Sequence, residues 1–98
     1  MRRYNIIVGY RDKRTREFAL GERVKAFDAI ERSAANKLAQ LESASGLADL
    51  RRPGNRLEVL KGDRKGQYSI RVNDRWRVCF EWPKDSTEPE NVESVDYH

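Results

Sequence analysis

The hydrophobic period of the chain changes near Pro53, and this change most constrains the fold. Before it, apolar residues recur at spacings of three and four, which predicts an amphipathic helix of about five turns over 24–41. After it, apolar and polar residues alternate in two runs, 68–72 and 76–82, as in half-buried strands. Helices followed by an antiparallel meander predict an α+β fold, formed by one domain over residues 1–98.

Shorter segments complete the predicted order of elements. Asp12 is placed to cap a short helix over 12–20, and Gly21 to end it. We further expect strands at 4–10, 57–60 and 92–95, one helical turn at 47–50 and a glycine-flanked connection at 61–66.

The loop between the two long strands sets which side chains share a face. A two-residue loop would mix arginines with the apolar residues on one face, which disfavours that register. A three-residue loop, 73–75, leaves one face wholly apolar and able to pack on the helix. It places Ser69 across from Cys79 and Arg71 across from Arg77.

Two arginines directly across a sheet repel each other, so this pair needs a compensating interaction. A phosphate shared between the guanidinium groups would supply one, because it matches their fork geometry. Alternatively, the arginines splay apart and pair with carboxylates, for which Glu58, Asp63 and Asp96 are the candidates. The residues alone leave both interpretations open.

The distribution of charge favours a polyanionic partner more than the total of +4 does. Residues 1–50 carry a net charge of +3, residues 51–77 carry +6, and residues 78–98 carry −5. A basic middle segment attracts phosphate groups, and an acidic segment does not. The alternative is a solvated surface on which the charges cluster by chance.

Several classes of protein are disfavoured. The longest aliphatic run is 6–8, and the N-terminus lacks an apolar signal segment, so neither a membrane span nor secretion is expected. A single cysteine, Cys79, fits a reducing cytoplasm. One histidine and one cysteine make no metal-ligand set, so we expect neither a metal nor another cofactor.

The only histidine, His98, is the last residue of the sequence. It is either a terminal residue without a role or a proton-transfer group, because imidazole titrates near neutral pH. RNA is cut without metal when its 2′-hydroxyl attacks the next phosphate. That reaction needs a base, an acid and cations on the phosphate. His98 and Glu58 are candidates for proton transfer, and Arg71, Arg77 and Lys61 for the charge.

Three runs of the sequence carry a resemblance to a known family: PGNRLE at 53–58, LKGDRKGQYSIRVNDRWR at 60–77 and VDYH at 95–98. They resemble the HigB branch of the RelE/ParE toxin superfamily, and the likeness extends over nearly the whole chain. The resemblance implies the toxin of a type II toxin–antitoxin pair, which enters the ribosomal A site and cuts messenger RNA. It also implies a HigA-like antitoxin with a helix-turn-helix domain, through which the pair binds operator DNA.

The family's functional positions fall on Lys61, Arg77, Asp96, Tyr97 and His98. Lys61 and Arg77 would neutralise the scissile phosphate, and His98 would transfer a proton. Tyr97 would stack on a base or place the hydroxyl, and Asp96 would orient it or end the strand.

Other positions are less directly matched. Some members of the family have a histidine where this chain has Glu58, which is either a base or a partner for an arginine. We add Arg71 to these candidates because the strand register places it across from Arg77. Four further basic residues would hold the RNA backbone: Arg56, Arg64, Lys65 and Arg75.

Two alternatives remain within the same superfamily. One is a ParE-like toxin that poisons DNA gyrase and cuts no RNA, and the other is a non-catalytic module that binds nucleic acid or protein. A pure binder would not need His98, so the Tyr97-His98 ending favours the nuclease.

Overall fold

Helices precede strands, as the sequence predicts, in a computed structural model that describes residues 9–96. The α-helices are α1 (Lys13–Ala19) and α2 (Glu31–Ser43), and the strands are β1 (Glu58–Val59), β2 (Gln67–Arg71), β3 (Trp76–Glu81) and β4 (Glu90–Asp96). Short 3₁₀ helices occupy Lys25–Ile30, Leu47–Leu50 and Gly62–Arg64. The α+β prediction is confirmed.

The predicted five-turn helix over 24–41 is wrong in one respect, because it is two elements. A 3₁₀ helix runs to Ile30, whose φ of −120° and ψ of 14° interrupt it before α2 begins at Glu31. The apolar residues Val24, Phe27 and Ile30 are spaced strictly by three, which is the period of a 3₁₀ helix. Beyond Ile30 the spacings are four, four and three, which suits the period of an α-helix.

All four strands form one antiparallel sheet in the order β1-β2-β3-β4. Beside β4, Tyr10 forms a parallel bridge with Val92, and the amide of Arg11 donates to the carbonyl of Val92 at 2.8 Å. The predicted N-terminal strand over 4–10 therefore has only its end within the described residues. The strand predicted at 57–60 is shorter than expected, and the one predicted at 92–95 is longer.

The three-residue loop between β2 and β3 is confirmed. The amide of Val72 donates to the carbonyl of Trp76 at 2.9 Å, which closes the hairpin around residues 73–75. Inside the loop, the Asn73 side-chain oxygen accepts from the amides of Arg75 and Trp76, both at 2.8 Å. This Asx turn holds the backbone so that the strand register is fixed at its tip.

The hydrophobic core lies between the helical segments and one face of the sheet. Phe27 is central to it, because its ring meets Phe18 and Trp76 edge-on with centroid distances of 5.4 and 5.5 Å. The buried apolar side chains are Val24, Phe27, Ile30, Ala34, Leu38, Leu41, Ala44 and Leu50 from the helical side, and Ile70, Val72, Val78, Phe80 and Val92 from the sheet. The predicted apolar stripe of the helix is therefore core.

The helix α1 packs beside β4 and is attached to it by one buried hydrogen bond. Asp12 is at the N-cap position, but its side chain makes no capping hydrogen bond within the described residues, so the predicted cap is only positional. Thr15 instead accepts a hydrogen bond from the backbone amide of Ser94 at 3.0 Å. Within residues 9–96, no helix is long and apolar enough to span a bilayer.

Candidate nucleic-acid interface

The sheet face opposite the core carries a row of polar side chains, which we call the polar face. Strand pairing places Glu58 opposite Ser69, Ser69 opposite Cys79 and Cys79 opposite Glu93. One row further along, Arg71 lies opposite Arg77. Alternation along the strands puts both rows on one face, so the predicted arginine pair is confirmed.

Arg77 is held in place by two neighbouring strands. Its guanidinium donates to the Ser69 hydroxyl at 2.9 Å and lies 3.4 Å from a carboxylate oxygen of Glu58. The Arg77 side chain is only 16% exposed, whereas that of Glu58 is 55% exposed. Arg77 is therefore the ordered member of this group and Glu58 the solvated one.

Arg71 turns away from Arg77 and forms an ion pair with Asp74, in the hairpin loop. The two arginines therefore splay apart and pair with carboxylates. Glu58 is one of the predicted partners, whereas Asp74 takes the place of Asp63 and Asp96. Asp74 is 93% exposed. Exposed ion pairs contribute about 0–1 kcal/mol, so a phosphate could replace either carboxylate at little cost. Splaying and phosphate binding are therefore compatible.

Arg64 crosses the sheet above β3. Its guanidinium donates to Gln67 on β2 and to Glu93 on β4, both at 2.9 Å. Glu93 also lies 3.5 Å from the guanidinium of Arg11. Glu93 was not among the predicted site residues, although its alternation with Val92 and Ser94 would place it on the polar face. Ser69 was likewise missed as a partner of Arg77.

Arg75 and Asp96 are joined at the hairpin end of the sheet, away from the Arg77 group. The guanidinium of Arg75 donates to both carboxylate oxygens of Asp96, at 2.7 and 3.3 Å. Asp96 is the last residue of β4 and pairs with Trp76 in the register. Its two predicted roles, orienting the hydroxyl or ending the strand, stay predictions. Tyr97 and His98 lie outside the described residues.

The remaining predicted basic residues are exposed. Lys61 precedes the 3₁₀ helix Gly62–Arg64, and Lys65 follows it. Arg56 follows the buried Asn55 with a positive φ of 47°. These three side chains form no ion pair with any residue in 9–96. Their charge is therefore open to solvent, but no contact joins Lys61 to Arg77.

Cys79 lies in the floor of the polar face and is fully buried. Burial raises the pKa of its thiol to about 11, and nearby Arg64 and Arg77 only partly oppose this. Two arginines thus lie close to a thiol that stays protonated at neutral pH.

We expect Cys79 to resist thiol reagents in the folded protein. At pH 8 a thiol with this pKa is about one part in a thousand thiolate, and the thiolate is the reacting form. Labelling with a chromogenic disulfide reagent should be very slow in buffer and fast in guanidinium chloride. Fast labelling of the folded chain would show that the floor of the polar face opens.

A basic sheet face on a small α+β domain matches a defined class of protein. Residues 4–98 match the family model described as HigB-like toxin, a RelE-like toxin of the type II toxin–antitoxin system HigB. The chain therefore belongs to the HigB-like toxin family. This family assignment confirms the resemblance seen in the sequence, and a type II system implies an antitoxin.

Two curated relatives share long segments with the chain. A 55-residue segment is 47% identical to Toxin HigB-1 of Vibrio cholerae serotype O1, and it covers 55% of this chain and 58% of that protein. A 63-residue segment is 35% identical to Endoribonuclease HigB of Proteus vulgaris, and it covers 64% of this chain and 66% of that protein. The chain thus matches less than two thirds of the length of either relative.

Proposed function

We propose that this chain is the toxin of a type II toxin–antitoxin pair and that it cuts messenger RNA on the ribosome without a metal. The observation that carries the proposal is the Arg71–Arg77 pair on the polar face, whose ion-pair partners, Asp74 and Glu58, are exposed carboxylates. The naming of a relative from Proteus vulgaris as an endoribonuclease supports it.

The proposed reaction is an attack by the RNA itself. The 2′-oxygen bonds to the adjacent phosphorus, the bond from phosphorus to the 5′-oxygen breaks, and a 2′,3′-cyclic phosphate results. A base removes the proton of the 2′-hydroxyl, and an acid protonates the departing 5′-oxygen. Negative charge grows on the non-bridging phosphate oxygens, and fixed cations stabilise it.

We assign neutralisation of the scissile phosphate to Arg77 and Lys61, and proton transfer to His98. Arg77 suits its role because two strands hold its guanidinium, so it needs little reorganisation when the charge develops. Tyr97 would stack on a base or place the hydroxyl. Glu58 forms an ion pair with Arg77. It would either position the Arg77 guanidinium or accept a proton.

The remaining basic residues would bind RNA backbone around this centre: Arg56, Arg64, Lys65, Arg71 and Arg75. Phosphate contacts of this kind position a protein on RNA without reading its sequence. The partners in this proposal are messenger RNA and the ribosome in the cytoplasm, and a HigA-like antitoxin that contains a helix-turn-helix domain. Operator DNA would be bound only by the toxin–antitoxin complex.

Messenger RNA cleavage with and without ribosomes tests the proposal. The purified protein should cut a message on translating ribosomes, and it should cut the same naked message weakly or not at all, because ribosomal groups complete the proton transfer. Cleavage sites are mapped by primer extension. Robust cutting of naked RNA at physiological salt would contradict ribosome dependence. If the protein cuts the message neither on ribosomes nor free, and instead inhibits supercoiling by gyrase, the chain is assigned to the gyrase poisons.

A further inference from the structure

A second group of cations lies between α2 and the C-terminal end of β2, and Asn55 organises it. Asn55 is fully buried, and its side-chain oxygen accepts a hydrogen bond from the ammonium of Lys37 at 2.6 Å. Its amide donates to the Gln40 side chain at 2.9 Å and to the carbonyl of Leu50 at 3.0 Å. Its own carbonyl accepts from the backbone amide of Arg71 at 2.6 Å. One residue therefore ties together α2, the 51–56 loop and β2.

Asn55 also donates its backbone amide to the carbonyl of Arg52 at 3.0 Å, so three basic residues, Lys37, Arg52 and Arg71, are bonded to it, and we call them the basic cluster. Partial burial lowers the pKa of the Lys37 ammonium, and the positive charges of Arg52 and Arg71 lower it further. Neither Lys37 nor Arg52 forms an ion pair with any residue in 9–96. Among the described residues only Arg71 has a carboxylate partner, the exposed Asp74, so most of the positive charge of the cluster is not neutralised, an arrangement that favours binding of an anion.

We propose that the basic cluster binds a backbone phosphate of RNA at a site separate from the scissile phosphate. The inference rests on the proposed function for its choice of polyanion. Arg71 belongs to the cluster and lies directly across the sheet from Arg77, so the two sites are continuous along one strand of nucleic acid. Lys37 supplies a compact ammonium, and Arg52 supplies a guanidinium fork that matches two phosphate oxygens.

The surroundings of the cluster favour RNA over an acidic protein segment. Arg51 and Arg56 flank it and are exposed, so that positive charge runs along the whole 51–56 loop. Interfaces with nucleic acid are strongly positive and polar, whereas the centre of a protein–protein interface is depleted of charge and of lysine. The loop also carries no large exposed apolar side chain that could anchor a protein partner.

The double substitution K37Q/R52Q tests the site, with K25Q/R32Q as its control. Lys25 and Arg32 are exposed and form no ion pair within the described part of the chain, so both variants lose two charges. Binding of a fluorescein-labelled single-stranded RNA is measured by anisotropy at several salt concentrations. We expect the slope of log Kobs against log salt to become shallower by about 0.7 for K37Q/R52Q, which is one lost phosphate contact. The control should keep the wild-type slope.

The single variant Arg52→Gln keeps the test valid if K37Q/R52Q fails to fold, because Arg52 is exposed and its side chain forms no hydrogen bond or ion pair in the described structure. It should weaken RNA binding in the same direction. Equal slopes for K37Q/R52Q and K25Q/R32Q would overturn the inference. So would wild-type binding that is insensitive to salt, or a loss confined to antitoxin binding.

Message cleavage on ribosomes, measured with the same variants, separates this inference from the proposed function. If wild type cuts the message while K37Q/R52Q binds RNA like the control, only the basic cluster has failed. If the cluster shifts the salt slope while wild type cuts no message, the site stands and the proposed function has failed.

Discussion

Arg77→Gln is expected to lower the rate of message cleavage on ribosomes by about 10²- to 10³-fold, the loss typical of removing one fixed group that stabilises transition-state charge. Glutamine keeps a donor for Ser69 but carries no charge, so the fold should survive while the phosphate loses its cation. Single-turnover cleavage at saturating protein measures the chemical step. Thermal unfolding, followed by circular dichroism, reports on the fold.

Arg16→Gln is the matched control, because Arg16 is an exposed arginine on α1 with no ion pair inside residues 9–96. It changes the net charge by the same amount and should leave cleavage within about twofold, since exposed surface substitutions are usually near neutral. If the two variants lose activity equally, Arg77 acts only through overall charge, and its assignment to the scissile phosphate is wrong.

His98→Gln is expected to abolish growth inhibition and to reduce cleavage by about 10²- to 10⁴-fold, the usual contribution of general acid–base catalysis. Glutamine is similar in polarity but cannot titrate, so proton transfer is lost. The wild-type pH–rate profile should show a limb near neutral pH that the variant lacks. Growth after induced expression and cleavage on ribosomes are the two readouts.

Antitoxin binding and thermal stability serve as controls for His98→Gln, and both should match the wild type. Full toxicity of the variant would remove His98 from the reaction. Lost toxicity together with lost antitoxin binding would instead indicate damage to the fold.

The arrangement of the sheet could be predicted from the sequence because strand alternation leaves few choices. Only a three-residue loop at 73–75 keeps one face apolar, and that register alone places Arg71 across from Arg77. The buried apolar stripe over 24–41 could be predicted for a similar reason, because its spacings of three and four place those residues on one face of a helix. The break at Ile30 was missed because spacings of three occur in both 3₁₀ and α-helices.

The partners of the charged residues could not be predicted in the same way. Many acids can reach each arginine, and tertiary placement decides among them, as it does for Arg71 with Asp74 and for Arg64 with Glu93. Asn55 is a sharper example. Its sequence context, Pro53-Gly54-Asn55, indicates a surface turn, and the turn is present, but the side chain is buried and fully bonded within the described structure. A local pattern predicts backbone shape and not burial.

Arg64 bonds to Gln67 on β2 and Glu93 on β4, and Arg77 on β3 bonds to Ser69 on β2. Both arginines therefore lie above Cys79 and Ser69, which are fully buried. The polar face therefore has a dry floor beneath its charges. Charges beside such a floor interact through an effective dielectric constant nearer about 20 than the value of about 80 for water, which strengthens their attraction for a phosphate roughly fourfold. Added salt screens that attraction less than it would on an open surface. A shallow face of a small sheet can in this way act electrostatically like a cleft.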